Sequence, residues 1–203
     1  MRGMIRALVR RMKRALVWLS RIGHGNGFGV QSPTDYHFVR YVICERAPYY
    51  LYEELEHSVK DIGCSVRHLC RLYFRLSNYC QSESFIDVQP ETGAYSAYVR
   101  AACSRTSVYI VDDVMATLVV SQQDRVFARI TYHEGVERLA APLLEVADGS
   151  VVVVEGIEWG SAARRWWKEL LLHERAGITY DLYDCGIIIV GRQRDKKNYI
   201  INY

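Results

Sequence analysis

The 203-residue chain has no CxxC pair, no His cluster at metal-ligand spacing, only four prolines and no long apolar run near its start. Each absence excludes something. The six cysteines, Cys44, Cys64, Cys70, Cys80, Cys103 and Cys185, are scattered, so no metal site is expected and they read as reduced, partly buried thiols of a cytoplasmic protein. Ala15 to Leu19 is too short for a membrane span or a signal-peptide core. Acids are missing from the first 34 residues, which hold Arg2, Arg6, Arg10, Arg11, Lys13, Arg14 and Arg21. The net charge of +3 therefore belongs to the N-terminus, and the remainder carries an excess of acids. With 50% apolar and 24% charged residues, the composition is that of a soluble protein with one main core.

Residues 2 to 22 place Ile5, Leu8, Val9, Met12, Leu16 and Leu19 at helical spacing opposite the basic side chains, which predicts an amphipathic basic helix. Three roles are open to it. It could pack its apolar stripe on the body, lie on an anionic membrane surface as a peripheral contact, or touch nucleic-acid phosphates. Nucleic acid has the least support, because nothing resembles a reading helix or an aromatic stacking platform. The glycine-rich GHGNGFG at 23–29 lacks a preceding strand and a P-loop lysine, and reads as a bend leading to an N-cap at Ser32 with Pro33 in the first helical turn. Helices follow through Ile43, over Tyr49 to Ile62 and over Val66 to Tyr79. The expected organisation is a basic helix over 1–22, a helical subdomain over 23–82 and a core over 83–203.

The core opens with a βαβ unit. Phe85 to Val88 is a short apolar strand, Pro90 and Gly93 mark a turn, Ala94 to Cys103 is helical, and Val108 to Val111 is a second buried strand ending in Asp112 and Asp113. A helix over Met115 to Asp124, a strand over Ala128 to Tyr132 and a helix over Val136 to Ala147 come next. Ser150 to Glu155 gives the strongest buried-strand signal, a continuous β-branched run. A helix over Ala162 to Glu174, a hairpin of Ile178 to Tyr183 with Ile187 to Val190, and a short strand over Tyr199 to Ile201 complete the chain. This alternation predicts an α/β fold, a Rossmann-like three-layer sandwich with a mostly parallel sheet and antiparallel final strands.

Three stretches resemble class I S-adenosylmethionine-dependent methyltransferase-like proteins of the Bacteroidetes type, which join a helical N-terminal extension to a seven-stranded Rossmann-like core. Gly23-His24-Gly25 through Val30-Gln31-Ser32-Pro33 is similar to that family's Gly-His-Gly-Val-His-Ser-Pro motif, with added residues and Gln31 in place of the second histidine. Leu72 to Tyr79 resembles the helix before the first strand. Ile157 to Ser161, Trp166 to Leu170 and Asp181 to Tyr203 resemble the region from the fifth strand to the C-terminus.

The resemblance implies S-adenosylmethionine as cofactor, held by Asp87, Glu91, Gly93, Asp112 and Asp113. It also exposes defects. The turn reads Asp87-Val88-Gln89-Pro90-Glu91-Thr92-Gly93, with Gln89 where the first glycine of the loop stands in the family. Only one helix fits between Tyr132 and Ser150, which implies that the fourth strand is missing; alternatively Ser150 to Glu155 takes that strand's place. Two functions follow from the resemblance: a degenerate methyltransferase-like protein serving as a pseudoenzyme or binding module for a small molecule or protein, or an active methyltransferase of unknown substrate. For an active enzyme, the candidate bases are Glu155, Glu158 and His133.

Overall fold

The computed structural model describes residues 12, 14–59, 62–111, 124–139, 142, 144–192 and 196–203. Residues 14–20 form a helix, α1, followed by a 3-10 turn at Ile22–His24. Helix α2 (Pro33–Phe38) begins as expected: Ser32 Oγ accepts the Asp35 N–H at 3.4 Å, Pro33 stands in the first turn, and the chain runs on through a π-helical turn, Val39–Ile43. Helices α3 (Leu51–Ser58) and α4 (Cys64–Cys80) precede strand β1 (Ser84–Val88), helix α5 (Ala94–Ala102) and strand β2 (Ser107–Val111). Strands β3 (Val126–Thr131) and β4 (Val151–Glu155), helix α6 (Ser161–Leu172), and strands β5 (Ala176–Asp181), β6 (Cys185–Val190) and β7 (Lys197–Ile200) follow. The helix expected from Met115 lies outside the described residues apart from its end at Asp124. Of the one expected from Val136, a 3-10 turn at Val136–Leu139 forms the start.

The seven strands form one sheet in the order β2-β1-β3-β4-β6-β5-β7. Only β6 runs against the others: it pairs antiparallel with β4 and β5, whereas β7 pairs parallel with β5. The sheet corrects the expectation of a missing fourth strand. In a doubly wound sheet the fourth strand sits beside the first, on the side away from the second. That place is filled by β3, whose Phe127 and Arg129 pair with Phe85 and Asp87. Ser150 to Glu155 accordingly continues as the fifth, with Val151 opposite Phe127. The place without a described strand is the third, beyond β2. This makes β2 an edge among the described residues and corrects its reading as a buried strand, since Tyr109 and Ile110 are exposed.

Alternation along the strands divides the core between two faces. Phe85, Phe127, Val151, Val153 and Ile187 face helices α2 to α5, where Phe38, Leu72, Tyr73, Leu76 and Tyr95 complete one cluster. Ile86, Val88, Ala128, Ile130, Val152 and Val154 face Trp166, Trp167 and Leu170 of α6. On that face Gly186 is indispensable, because a Cβ there would come within 2.3 Å of the Trp167 ring. The buried Asp35 carboxylate ties α2 to the last strand, accepting from Lys197 Nζ at 3.0 Å and Tyr199 OH at 2.8 Å.

The expected basic helix lies outside the described residues up to position 11, and over its described residues the apolar stripe is left exposed. Arg14, Val17 and Arg21, at i, i+3 and i+7, turn inward: Arg14 meets Asp184 at 2.8 Å and Arg21 meets the buried Asp181 at 2.9 Å. Met12, Leu16 and Leu19 face outward and are exposed.

A buried ion cluster at the candidate cofactor site

The place where a doubly wound sheet binds its ligand is the crevice at the carboxyl ends of the parallel strands. Here Asp87 of β1, Arg129 of β3 and Glu155 of β4 come together on the face covered by α4 and α5. The Arg129 guanidinium donates from Nε to Glu155 Oε1 at 2.7 Å and from Nη1 to Asp87 Oδ1 at 3.1 Å. It also donates from Nη2 to Thr131 Oγ1 at 2.8 Å and lies 4.3 Å from the centre of the Tyr95 ring. The Tyr73 hydroxyl donates to Glu155 Oε1. Arg129, Asp87 and Tyr73 are fully buried, and Tyr95 and Glu155 nearly so.

One cation beside two carboxylates in a buried site favours the state in which one acid is neutral. Glu155 holds the guanidinium more closely and also accepts from Tyr73. Asp87 is left with the longer contact, so burial, opposed by Arg129 and reinforced by the Glu155 charge, pushes its pKa up to about 6. Asp87 Oδ2 is buried and makes no hydrogen bond within normal limits, although the Ser96 hydroxyl is close enough to lower the pKa slightly. Arg129 itself is burdened by burial but is held firmly protonated by Glu155, Tyr73 and Asp87.

The loop after β1 turns through a left-handed residue, Gln89 at φ 45°, where its N–H donates to Val111 O at 2.9 Å. That conformation suits glycine, and a glutamine there carries both strain and bulk. Glu91 is exposed. Gly93 begins α5 with an ordinary negative φ and open space around its missing Cβ, so neither backbone geometry nor a close neighbour demands glycine there. S-adenosylmethionine carries a sulfonium cation and needs close backbone approach. A buried guanidinium on the strand-end acid and a side chain at the left-handed position do not fit that cofactor.

The remaining expected site residues scatter. Asp112 and Asp113 lie outside the described residues. Glu158 pairs with Arg164 at 2.9 Å, and His133 is exposed with Nδ1 3.0 Å from Glu134 O. Their partners lie outside the Arg129 cluster, whereas Glu155 is part of it. Sequence reasoning passed over Arg129, Tyr73 and Thr131. The available signal was an arginine in the middle of the apolar run Val126-Phe127-Ala128-Arg129-Ile130, since a charge buried in a strand needs a partner. No group of three or more His, Cys, Asp or Glu among the described residues could hold a metal ion.

A separate cavity of about 390 Å³ opens beside α4, lined among others by Trp18, Arg46, Tyr52, Arg71, Arg75 and Tyr203. Arg75 is buried and makes no ion pair with a carboxylate among the described residues. Its Nε donates to Val42 O at 2.6 Å, and its Nη2 donates to Ile43 O at 3.0 Å and Tyr203 OH at 3.2 Å.

Compared with known proteins, the sequence matches no family profile and no curated protein. Among solved structures, the chain is similar to the protein-(glutamine-N5) methyltransferase (release factor-specific) of Alicyclobacillus acidocaldarius subsp. acidocaldarius DSM 446. The identity is 20% and the TM-score 0.37, over 52% of this chain and 78% of that one. The α/β class and the Rossmann-like arrangement of this chain stand on its own strand order.

Proposed function

We propose that this chain is a methyltransferase-like protein that has given up S-adenosylmethionine and works as a binding module or pseudoenzyme. The observation that carries the reading is the commitment of Asp87, the acid at the end of the first strand, to the buried Arg129 guanidinium. In a cofactor site that carboxylate must be available to a ligand; here its neighbourhood is closed by protein groups on the sheet and by Tyr95. Gln89 in the left-handed position supports the same conclusion. An active methyltransferase would require Arg129 to leave a site where Glu155, Asp87 and Thr131 hold it, at a cost of several kcal/mol for a buried, unpaired charge.

For a small ligand, the cavity beside α4 is the better place. Three arginines and one glutamate line it, together with the rings of Trp18, Tyr52, His68 and Tyr203, a lining suited to an organic anion with a planar ring. The deciding experiment is a calorimetric titration of the full chain with S-adenosylmethionine and with S-adenosylhomocysteine, paired with thermal denaturation. Neither compound should give a binding isotherm or raise the melting temperature. Saturable binding of either overturns the reading, because a ligand bound only by the native state must stabilise it.

A further inference from the structure

We infer that α1 is a docking element for an anionic membrane surface. A helix that merely covers a protein core turns its apolar side inward and its charges outward. Helix α1 does the reverse. Its inward row consists of Arg14, Val17 and Arg21, and the two arginines are consumed by ion pairs to Asp184 and Asp181. On the other side Met12, Leu16, Leu19 and Ile22 follow i, i+4, i+7 and i+10 along α1 and the residues that flank it, and each is more than half exposed; Leu19 borders an open groove with Cys64 and His68, and Ile22 borders the cavity beside α4. Trp18, half exposed beside this row, and the exposed Phe28 just beyond it extend the apolar area.

Large apolar side chains in a continuous row on a surface mark an interaction site. The charge of the segment identifies the occupant. Arg2, Arg6, Arg10, Arg11 and Lys13 precede or adjoin the exposed row, and no acid occurs before Asp35. Apolar Leu, Ile and Trp side chains beside a purely basic segment match an interfacial helix on acidic headgroups. No described helix is long and apolar enough to cross a membrane, so the contact would lie along the surface. The ion pairs of Arg14 and Arg21 have a role in this arrangement: they hold the helix on the body while its apolar side stays exposed.

The test is co-sedimentation of the full chain with vesicles of phosphatidylglycerol and phosphatidylcholine, and with vesicles of phosphatidylcholine alone, at low and high salt. The chain should pellet with the anionic vesicles, and raising the salt should weaken the binding. Met12→Asp combined with Leu16→Asp replaces two side chains of the row that are each more than half exposed, and should lower the partition coefficient about a hundredfold. The inference is overturned if the unaltered chain stays in solution with anionic vesicles, or if the double variant binds them equally well. It is equally overturned if the chain avoids vesicles and elutes as a dimer that the double variant dissociates, which would make the row a contact between copies. These outcomes are independent of whether S-adenosylmethionine binds.

Discussion

Replacing Asp87 by Asn is the sharpest probe of the buried cluster. Asn keeps a side-chain oxygen for Arg129 and leaves Glu155 and Arg129 as a neutral pair, so the variant removes the surplus negative charge without opening a cavity. In the native protein burial raises the Asp87 pKa from 3.8 to about 6. A raised acid pKa means that the folded state holds a proton that the unfolded state has released between those values. Stability from this group is therefore fully present below about pH 4 and is lost as the pH rises through about 6. At about 1.4 kcal/mol per pKa unit, the loss is about 3 kcal/mol. Urea denaturation followed by tryptophan fluorescence, which the buried Trp166 and Trp167 can report, should show this fall in the native protein and not in Asp87→Asn. Other titrating groups cancel in the difference between the two curves. Above pH 7 the variant should be at least as stable as the native protein. A flat difference between pH 4 and 7, or an Asp87→Asn variant destabilised by more than about 1 kcal/mol at pH 8, would refute the reasoning, because the native carboxylate would then be favourably ionised.

Gly186→Ala places a Cβ 2.3 Å from the buried Trp167 ring and should cost about 3 kcal/mol or more, read as a lowered melting temperature; a loss under about 0.5 kcal/mol would show that the indole can move aside. Gln89→Gly relieves the left-handed residue and should change stability by no more than about +1 kcal/mol, the relief of local strain being offset by the freer unfolded chain. It should not create S-adenosylmethionine binding, since Arg129 still occupies Asp87. If calorimetry finds that this single change restores binding, the loop and not the arginine is the barrier.

What was legible in the sequence was local. The β-branched run Val151 to Val154 formed a strand, the capping pair Ser32 and Pro33 started a helix, and the periodicity from Val66 to Tyr79 formed α4, because backbone propensity and side-chain spacing act within a few residues. The irregular turn after Asp87 was also visible, and the positive φ at Gln89 accords with the glycine that the resemblance led one to expect there. The partners of the charges were not visible. Arg129 meets Asp87 from 42 residues away and Glu155 from 26, and those contacts exist only because β3 inserts between β1 and β4 in a particular register. For the same reason the place without a described strand is the third and not the expected fourth: a count of elements along the chain does not state which strands lie side by side. The direction of α1 was decided in the same way. Its amphipathic pattern was plain, but the acids Asp181 and Asp184, brought to its inner side by the end of β5 and the turn after it, drew in the arginines and turned the leucines outward. Sequence fixes which faces a segment has; long-range pairing, which joins groups far apart in the chain, decides which face is buried.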